Sequence, residues 1–465
     1  MSAPVIWISV PFVAGIAALF LHKERLLTLL GGGLALLLAL VALVIPIDQA
    51  LLIEGLSFKI SPSIQVLGRS LVFLPAESRL LVILYGLIAM WLFGAEISQI
   101  ADRLVPLGLM ISSLLIASIA VEPFLYAAAL IEIAVLLAIP MLLPLYQAPR
   151  PGLMRFLIYQ TLAMPFILFS GWLLVGVEAS PGDVGLAVQA AVILGLGFAF
   201  LLAIFPLYTW MPMLVEETSP YLAGFLFWVL PTMAIVFGMG FLDRYTWLRT
   251  SEQLALGLQW GGLLMVVSAG LWSAFERHLG RQMAYGVIAE IGFSLLALSL
   301  PADKIVETAF LLVIPRSLAF LVWSLSLACM ARLRESLRSS AVAGLAYSYP
   351  LLAVGVVLAH FSVAGFPLLA GFPIRLVLWE ELARQSLSLT FWFLVGVLGL
   401  LTGAMRTLAV LVTPPGKSKW EMHERWGEGI LIGLGVLGLF VLGIFPQVPR
   451  LFLADLPMMF EHLGR

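Results

Sequence analysis

Long apolar runs separated by short polar breaks extend along almost the whole chain. Because a helix needs about 20 apolar residues to cross a bilayer, this pattern predicts about fourteen transmembrane helices. The predicted spans are residues 4–21, 26–46, 79–97, 104–121, 123–146, 153–177, 185–208, 221–242, 254–275, 281–300, 304–330, 346–380, 388–412 and 427–446. The sequence therefore predicts an all-α membrane protein.

A short stretch with two prolines interrupts two of these apolar runs. The first copy is Phe205-Pro206-Leu207-Tyr208-Thr209-Trp210-Met211-Pro212, and the second is Phe366-Pro367-Leu368-Leu369-Ala370-Gly371-Phe372-Pro373. Because proline lacks the backbone N–H that a helix needs, these residues predict discontinuous helices near 203–212 and 366–375. Paired breaks of this kind indicate a transport pathway built from inverted repeats, and two unrelated proline kinks are the alternative.

Two markers indicate that the breaks belong to repeated units. Pro206 and Pro367 are offset by 161 positions, and the acids Glu132 and Glu290, each inside an apolar run, are offset by 158. An odd number of spans per unit gives the two copies opposite orientations, so two inverted five-helix repeats are predicted. The predicted divisions are peripheral spans in 1–103 with a surface loop at 47–78, a first repeat at 104–242, a second repeat at 254–412, and a polar loop, a last span and the C-terminal tail at 413–465.

Composition supports the membrane class and removes several kinds of chemistry. Apolar residues make up 62% of the chain and charged residues 11%, and the mean hydropathy is +1.09, values outside the range of soluble domains. Lys and Arg (25) nearly balance Asp and Glu (26), which gives no basic surface for nucleic acid. One cysteine and five histidines cannot form an iron–sulfur or structural zinc centre. We therefore expect no metal, no cofactor and no catalytic residue in this chain.

Basic residues in the loops predict the orientation. If the first loop, with Lys23 and Arg25, is cytoplasmic, the loops on that side also include Lys417 and Lys419 and hold the larger share of the Lys and Arg residues. The positive-inside rule then places both termini on the non-cytoplasmic side. The apolar run from Val5 lacks a basic leader and a cleavage site, which predicts a retained first span rather than a signal peptide.

Five ionisable residues lie inside or beside the apolar runs: Glu132, Glu290, Arg316, His360 and Arg375. A lone charge in the middle of a bilayer costs at least about 2.5–3.5 kcal/mol, so each should face protein or water and have a partner. They are therefore candidates for a proton relay. The alternative is that the two acids and two arginines neutralise one another as structural pairs.

The side-chain chemistry divides these residues. Glu132 is favoured as a functional group because a carboxyl group in a low-dielectric site suits reversible protonation. For Glu290, a functional role and a structural ion pair are equally open. Arginine cannot release its proton, so Arg316 is expected to be a counter-charge or a cap for carbonyl groups, and Arg375 can only polarise water or act on a neighbour. His360 can relay protons or serve as a hydrogen-bonded packing residue.

Motifs across residues 80–412 connect the chain to a known family. They are the acid-bearing run from Glu122 to Glu132, Arg155-Phe156-Leu157-Ile158-Tyr159-Gln160, the Phe205–Pro212 stretch, Gly280-Arg281-Gln282-Met283-Ala284-Tyr285 with Glu290-Ile291-Gly292-Phe293, and Ala364-Gly365-Phe366-Pro367-Leu368-Leu369-Ala370-Gly371-Phe372. These segments resemble the antiporter-like, proton-conducting membrane subunits of respiratory complex I, membrane-bound hydrogenases and multisubunit Na⁺/H⁺ antiporters. The short C-terminus and Val229-Leu230-Pro231 are most similar to the smallest paralogue, the N-type subunit.

The resemblance implies fourteen spans, two inverted five-helix repeats and a row of ionisable residues along the membrane midplane. Carried over by motif, Glu132 matches the family's glutamate of span five, and Arg375 takes the place of the lysine or glutamate of span twelve. Leu201 and Thr232 stand where the family has lysines in spans seven and eight, and Glu290 stands where it has a histidine. The resemblance thus implies a relay that is interrupted in its first half.

The predicted function is therefore that of an antiporter-like membrane subunit of a complex I-like oxidoreductase, which contributes to proton translocation while other subunits perform the redox chemistry. Its expected partners are other membrane-arm subunits, protons or cations, and the lipid of the inner cell membrane. Two alternatives stay open. One is a degenerate structural subunit that conducts no ions, and the other is a free-standing cation/proton antiporter.

Overall fold

The structure, a computed structural model, describes all residues except 1, 54–55, 67, 144–147, 149, 181, 414–419, 454 and 464–465. Within the described residues, ten helices are long and apolar enough to cross a membrane, or eleven if the bent pair Ser339–Tyr347 and Pro350–Ala364 is one span. The prediction of an all-α membrane protein is confirmed. Lys417 and Lys419, with most of the first half of the predicted polar loop, lie outside the described residues.

Most of the helices follow one another with short connections. In chain order they are α1 Val10–Ala18, which a π-helical turn Val5–Ser9 precedes, α2 Glu24–Val44, α3 Glu77–Phe93, α4 Ala101–Ala120, α5 Ala127–Leu142, α6 Pro151–Ala179, α7 Val184–Leu201, α8 Trp210–Glu217, α9 Pro220–Arg244, α10 Thr246–Arg249, α11 Glu252–Phe275, α12 Leu279–Leu298, α13 Ala302–Leu311, α14 Val313–Leu333, α15 Ser339–Val342, α16 Pro350–Ala364, α17 Phe372–Gln385, α18 Leu387–Val412, α19 Trp426–Ile444 and α20 Gln447–Leu453.

The predicted surface loop at 47–78 contains two β hairpins. Strand β1 (Ala50–Ile53) pairs antiparallel with β2 (Leu56–Lys59), and β3 (Ser63–Val66) pairs antiparallel with β4 (Arg69–Val72). The short strand β5 (Val121–Glu122), which follows α4, extends the second hairpin by pairing with β4. These backbone pairs explain how a stretch with interspersed charges forms ordered structure between two apolar helices.

The chain divides into two compact units. The first comprises Met1–Leu207, Val229–Thr250 and Asp455–His462. In this unit the C-terminal segment is held by charged groups, because Asp243 accepts the backbone N–H groups of Glu461 at 3.1 Å and His462 at 2.8 Å. Arg79 forms an ion pair with Asp455 at 3.1 Å. A segment distant in sequence is thereby joined to the end of α9 and the start of α3.

The second unit comprises Tyr208–Trp228, Ser251–Ala454 and Leu463–Arg465. Helices α11 and α18 approach very closely in it, through Gly270, Gly396 and Gly399. A Cβ atom at Gly270 would lie 2.1 Å from the carbonyl oxygen of Gly396, and one at Gly399 would lie 2.5 Å from that of Gly270. Only glycine permits this contact, so these three positions determine how the two helices pack.

The two predicted helix breaks are present. Helix α7 ends at Leu201 and α8 begins at Trp210, and α16 ends at Ala364 and α17 begins at Phe372. Pro206 and Pro367 lie in the breaks, whereas Pro212 and Pro373 lie in the first turns of α8 and α17. The second proline of each copy therefore starts a helix instead of interrupting one, because first-turn N–H groups have no partner within the helix.

Candidate functional site

A carboxylate between two guanidinium groups lies in the interior of the second unit. Glu290 on α12 accepts a hydrogen bond at Oε2 from Nε of Arg316 on α14, at 3.3 Å. Its other oxygen, Oε1, accepts a hydrogen bond from Nη2 of Arg375 on α17. The three residues are only 3–4% exposed. The structure thus joins three of the sequence candidates in one buried cluster.

Backbone carbonyl groups and a hydroxyl surround the remaining charge of this cluster. Nη2 of Arg316 donates to the carbonyl oxygen of Glu290 at 2.8 Å and to the hydroxyl of Ser294. The guanidinium carbon of Arg375 lies 4.2 Å from the centre of the Phe293 ring. Two arginines and one glutamate have a formal net charge of +1, so these dipoles and the ring face stabilise the excess positive charge.

Arg375 also caps the broken helix. Its Nη2 donates to the carbonyl oxygen of Val363 at 3.0 Å, in the last turn of α16. The last carbonyl groups of a helix have no partner within it and form its negative end, which favours a cation. Gly365 follows with φ of +78°, and a Cβ atom there would lie 2.8 Å from Cγ of Arg375. Glycine at this position both ends α16 and leaves space for the arginine.

His360 lies one helical turn before Val363 and is completely buried. Its Nε2 is 3.3 Å from the hydroxyl of Ser273. The imidazole stacks on the Trp323 ring with 4.4 Å between centroids and 27° between planes. Nδ1 has no hydrogen-bond partner among the described residues. One hydrogen bond, at Nε2, and one stacked contact therefore hold the ring in place among the described residues.

The remaining acid, Glu132, lies on α5 in the first unit and is 8% exposed. Its Oε1 accepts a hydrogen bond from the Thr161 hydroxyl on α6 at 2.8 Å. The adjacent residue, Gln160, donates from Nε2 to the carbonyl oxygen of Leu201 at 3.1 Å, where α7 ends. Two consecutive polar residues of α6 thus contact the buried acid and the end of the broken helix.

The sequence reasoning did not identify Thr161, Ser273 or Ser294 as contacts of the ionisable residues. Each is a small hydroxyl residue in an apolar helix, and such residues also occur wherever a hydroxyl bonds to its own helix backbone. Leu201 and Thr232 are both buried, and their alignment with the family's lysines stays a prediction. Among the residues that the structure describes, no group of three or more His, Cys, Asp or Glu side chains could hold a metal.

Comparisons with known proteins connect this arrangement to a family. A family model described as "NADH:quinone oxidoreductase/Mrp antiporter, TM" matches residues 183–402. NADH-quinone oxidoreductase subunit N of Deinococcus radiodurans is 24% identical over 289 residues, which are 58% of this chain and 55% of that protein. The subunit N of Geotalea uraniireducens is 26% identical over 272 residues, 56% of this chain and 55% of that protein. The matched segments thus span about half the length of these curated relatives.

Solved structures share the fold over nearly the whole chain. A chain of respiratory complex I from Thermus thermophilus with bound NADH superposes with a TM-score of 0.73 and 20% identity, and the match covers 97% of this chain and 99% of that one. A chain of the Mrp complex from Dietzia sp. gives 0.76 and 14%, covering 99% and 97%. Residues 183–402 thus match the transmembrane model of the NADH:quinone oxidoreductase/Mrp antiporter family, and the chain has the fold of these complex I and Mrp chains.

Proposed function

We propose that this chain belongs to the membrane arm of a multisubunit, complex I-like oxidoreductase and contributes to proton translocation that electron transfer in other subunits drives. The observation that carries the proposal is the buried Glu290, held between Arg316 and Arg375 at a broken helix, in a fold shared with complex I and Mrp subunits. Buried charges are expensive in a membrane and are most often found on ion pathways.

The chemistry of the site assigns different roles to its members. Arg316 and Arg375 are fixed positive charges, because a guanidinium group keeps its proton. Among the buried candidates, the groups able to take and release a proton are Glu132, Glu290 and His360. In this proposal the arginines set the electrostatic environment, and protons move through the two acids, the imidazole and water.

Several helices support the finer architecture of the proposal. Adding α1, α3, α12 and the broken pair α16–α17 to the ten long helices gives the fourteen spans of the sequence prediction. In each predicted repeat, the acid bonds to a residue on the next crossing helix: Glu132 to Thr161, and Glu290 to Arg316. This recurrence supports inverted repeats at 104–242 and 254–412. The basic loops support an orientation with both termini on the non-cytoplasmic side of the inner membrane, and the subunit N relatives support likeness to the N-type subunit.

A structural, non-conducting subunit is the second candidate. Glu290 already has an arginine on each of its carboxylate oxygens, and the leucine and threonine at the predicted lysine positions cannot ionise. In that case the buried charges are inherited architecture, and the chain serves as a spacer between neighbouring membrane subunits.

The deciding experiment is proton pumping by the purified complex in proteoliposomes at matched electron-transfer rates. Wild type is compared with Glu132→Gln, with His360→Gln, and with the control Glu335→Gln, which changes an exposed acid outside the helices. A lower ratio of protons to electrons in either test variant, with an unchanged control, supports translocation by this chain. Unchanged ratios in both test variants refute it and favour the structural subunit. Ion flux by the chain purified without partners would instead indicate a free-standing antiporter.

A further inference from the structure

A line of buried polar groups extends from His360 towards the end of α11 in the second unit. The hydroxyl of Ser273 lies 3.3 Å from Nε2 of His360. Gln282 donates from Nε2 towards the carbonyl oxygens of Ser273 at 3.5 Å and Glu276 at 3.3 Å. The hydroxyl of Thr407 donates to Oε1 of Gln282 at 2.8 Å. These contacts connect a completely buried imidazole to the last turn of α11 and its connection to α12.

The far end of this line reaches a group of partly exposed charges. Glu276 forms an ion pair with Arg281 at 3.4 Å, and Arg281 approaches Glu216 at 3.8 Å. Arg338 approaches the other oxygen of Glu216 at 4.0 Å. Loops at this end of the unit are rich in arginine, which is the side that the positive-inside rule predicts to be cytoplasmic. The polar line therefore extends from partly exposed charges to the buried imidazole.

Two glycines let the line form. A Cβ atom at Gly403 on α18 would lie 2.5 Å from the hydroxyl oxygen of Ser273, so glycine brings α18 against this serine. A Cβ atom at Gly286 on α12 would lie 2.9 Å from the Trp323 ring. Because Gln282, Gly286 and Glu290 follow each other at intervals of four residues, they lie along one side of α12. The tryptophan that stacks on His360 thus occupies the level between the glutamine and the arginine-paired acid.

We propose that Ser273, Gln282 and Thr407 form the access path along which protons reach His360 from the arginine-rich end of the unit, and that Trp323 positions the imidazole. The inference rests on the proposed function, since it describes how one relay group would receive its proton. Gln282 does not itself transfer protons in this path. Its amide donates to the backbone carbonyl of Ser273 and accepts from the hydroxyl of Thr407, and so joins the two residues.

The proton balance of the step is simple. A hydronium ion beside Ser273 gives a proton to the serine oxygen and becomes water, while the serine gives its own hydroxyl proton to Nε2 of a neutral His360 that carries its proton on Nδ1. The resulting imidazolium gives its Nδ1 proton to a second water molecule, which becomes hydronium; Nδ1 has no partner among the described residues. One proton then has moved across the ring, and the Trp323 face stabilises the transient cation. Proton exchange at the two nitrogens restores the first tautomer.

The test uses the assembled complex and compares proton flux at matched electron-transfer rates. Thr407→Val removes the hydroxyl and keeps the shape, and Ser273→Ala removes the group next to His360. Thr407→Ser restores the hydroxyl. The matched control is Thr402→Val on the same helix, because Thr402 bonds to the carbonyl oxygen of Leu398 in its own helix and is exposed. Trp323→Leu removes the stacked ring, and Trp323→Phe keeps an aromatic face.

We expect at least twofold lower proton flux in Ser273→Ala, Thr407→Val and Trp323→Leu, with near wild-type flux in Thr402→Val, Thr407→Ser and Trp323→Phe. Equal thermal unfolding midpoints in Thr407→Val and Thr407→Ser would separate a transport effect from a folding effect. If Thr407→Val does not assemble, the smaller change Ser273→Ala decides. Reduced flux in His360→Gln with unchanged flux in Ser273→Ala and Thr407→Val overturns the path and leaves the proposed function intact. Unchanged flux in His360→Gln, Glu132→Gln and all path variants overturns both.

Discussion

Thr161 donates the hydrogen bond that Glu132 accepts at 2.8 Å inside the first unit. The acid is buried, whereas the threonine is exposed on the surface of α6. The donor can therefore be removed without opening a cavity in the packed interior. Glu132 differs in this respect from Glu290, whose partners are two buried arginines.

Thr161→Val should destabilise the protein by about 1–3 kcal/mol, because a buried carboxyl group loses its donor. The same change should lower proton flux if Glu132 transfers protons, whereas Thr161→Ser should preserve both properties. Thermal unfolding of the purified complex and pumping in proteoliposomes measure the two effects. Identical unfolding midpoints for Thr161→Val and wild type would show that the hydrogen bond does not contribute to folding.

The packing of α11 on α18 predicts a strong effect from one added methyl group. Gly270→Ala places a Cβ atom 2.1 Å from the carbonyl oxygen of Gly396, and backbone cannot rotate away as a side chain can. Overpacking of this kind costs about 1–3 kcal/mol or more, so the unfolding midpoint should fall and assembly should decrease.

Gly261→Ala on the same helix is the matched control. No atom lies within 4 Å of the added Cβ there, and alanine is up to about 1 kcal/mol better than glycine inside a helix. The control should therefore be neutral or slightly stabilising. Similar losses in the two variants would mean that the contact with α18 does not explain the effect of Gly270→Ala.

The helix breaks are accessible to sequence reasoning because proline acts locally on hydrogen bonding. Pro206 and Pro367 lack a donor wherever the rest of the chain lies, and both breaks follow from that property. The prediction that Pro212 and Pro373 also interrupt helices is wrong, because a helix tolerates proline in its first turn. The position of that turn depends on where the next helix begins. Helix propensity alone does not determine that position.

The partners of the buried acid Glu290 could not be predicted from the sequence. Pairing of acids with arginines was an open alternative, and Glu290 does pair with Arg316 and Arg375, at separations of 26 and 85 positions. The three residues come from three different helices, so only the packing of those helices brings them together. The contacts of Thr161 and Ser273 depend on the same packing and have no separate signal in the sequence.

We expect the free energy of unfolding to depend on pH through His278. Its Nδ1 accepts the backbone N–H of Arg281 at 3.3 Å and caps the start of α12. Burial lowers the pKa of His278 below its ordinary value, although Glu216 and Glu276 act in the opposite direction and Arg281 and Arg338 in the same one.

Between the lowered pKa and the ordinary value of about 6.5, the unfolded chain binds more protons than the folded chain. Stability from this group is therefore fully present above about pH 6.5 and is lost as the pH falls through that window. His278→Asn keeps a capping side chain that does not titrate in this range. The unfolding midpoint of wild type should fall more steeply on acidification than that of His278→Asn, and parallel pH profiles would contradict the prediction.

Glu290→Gln should be far more damaging to folding than Glu132→Gln. The first change removes the negative charge between Arg316 and Arg375 and leaves two buried guanidinium groups without a counter-charge, which costs about 3–5 kcal/mol. The second leaves Glu132's neutral partner, Thr161, with an amide oxygen to bond. Comparing unfolding midpoints and assembly yields of the two variants tests this contrast.

A complex that assembles normally with Glu290→Gln would mean that other anions or water compensate the charge of the two arginines. Pumping by that complex would then report directly on transport. If Glu290→Gln fails to assemble and Glu132→Gln assembles, the role of Glu290 in transport cannot be measured. Only the Glu132 and His360 variants can then show whether this chain conducts protons or has a purely structural role.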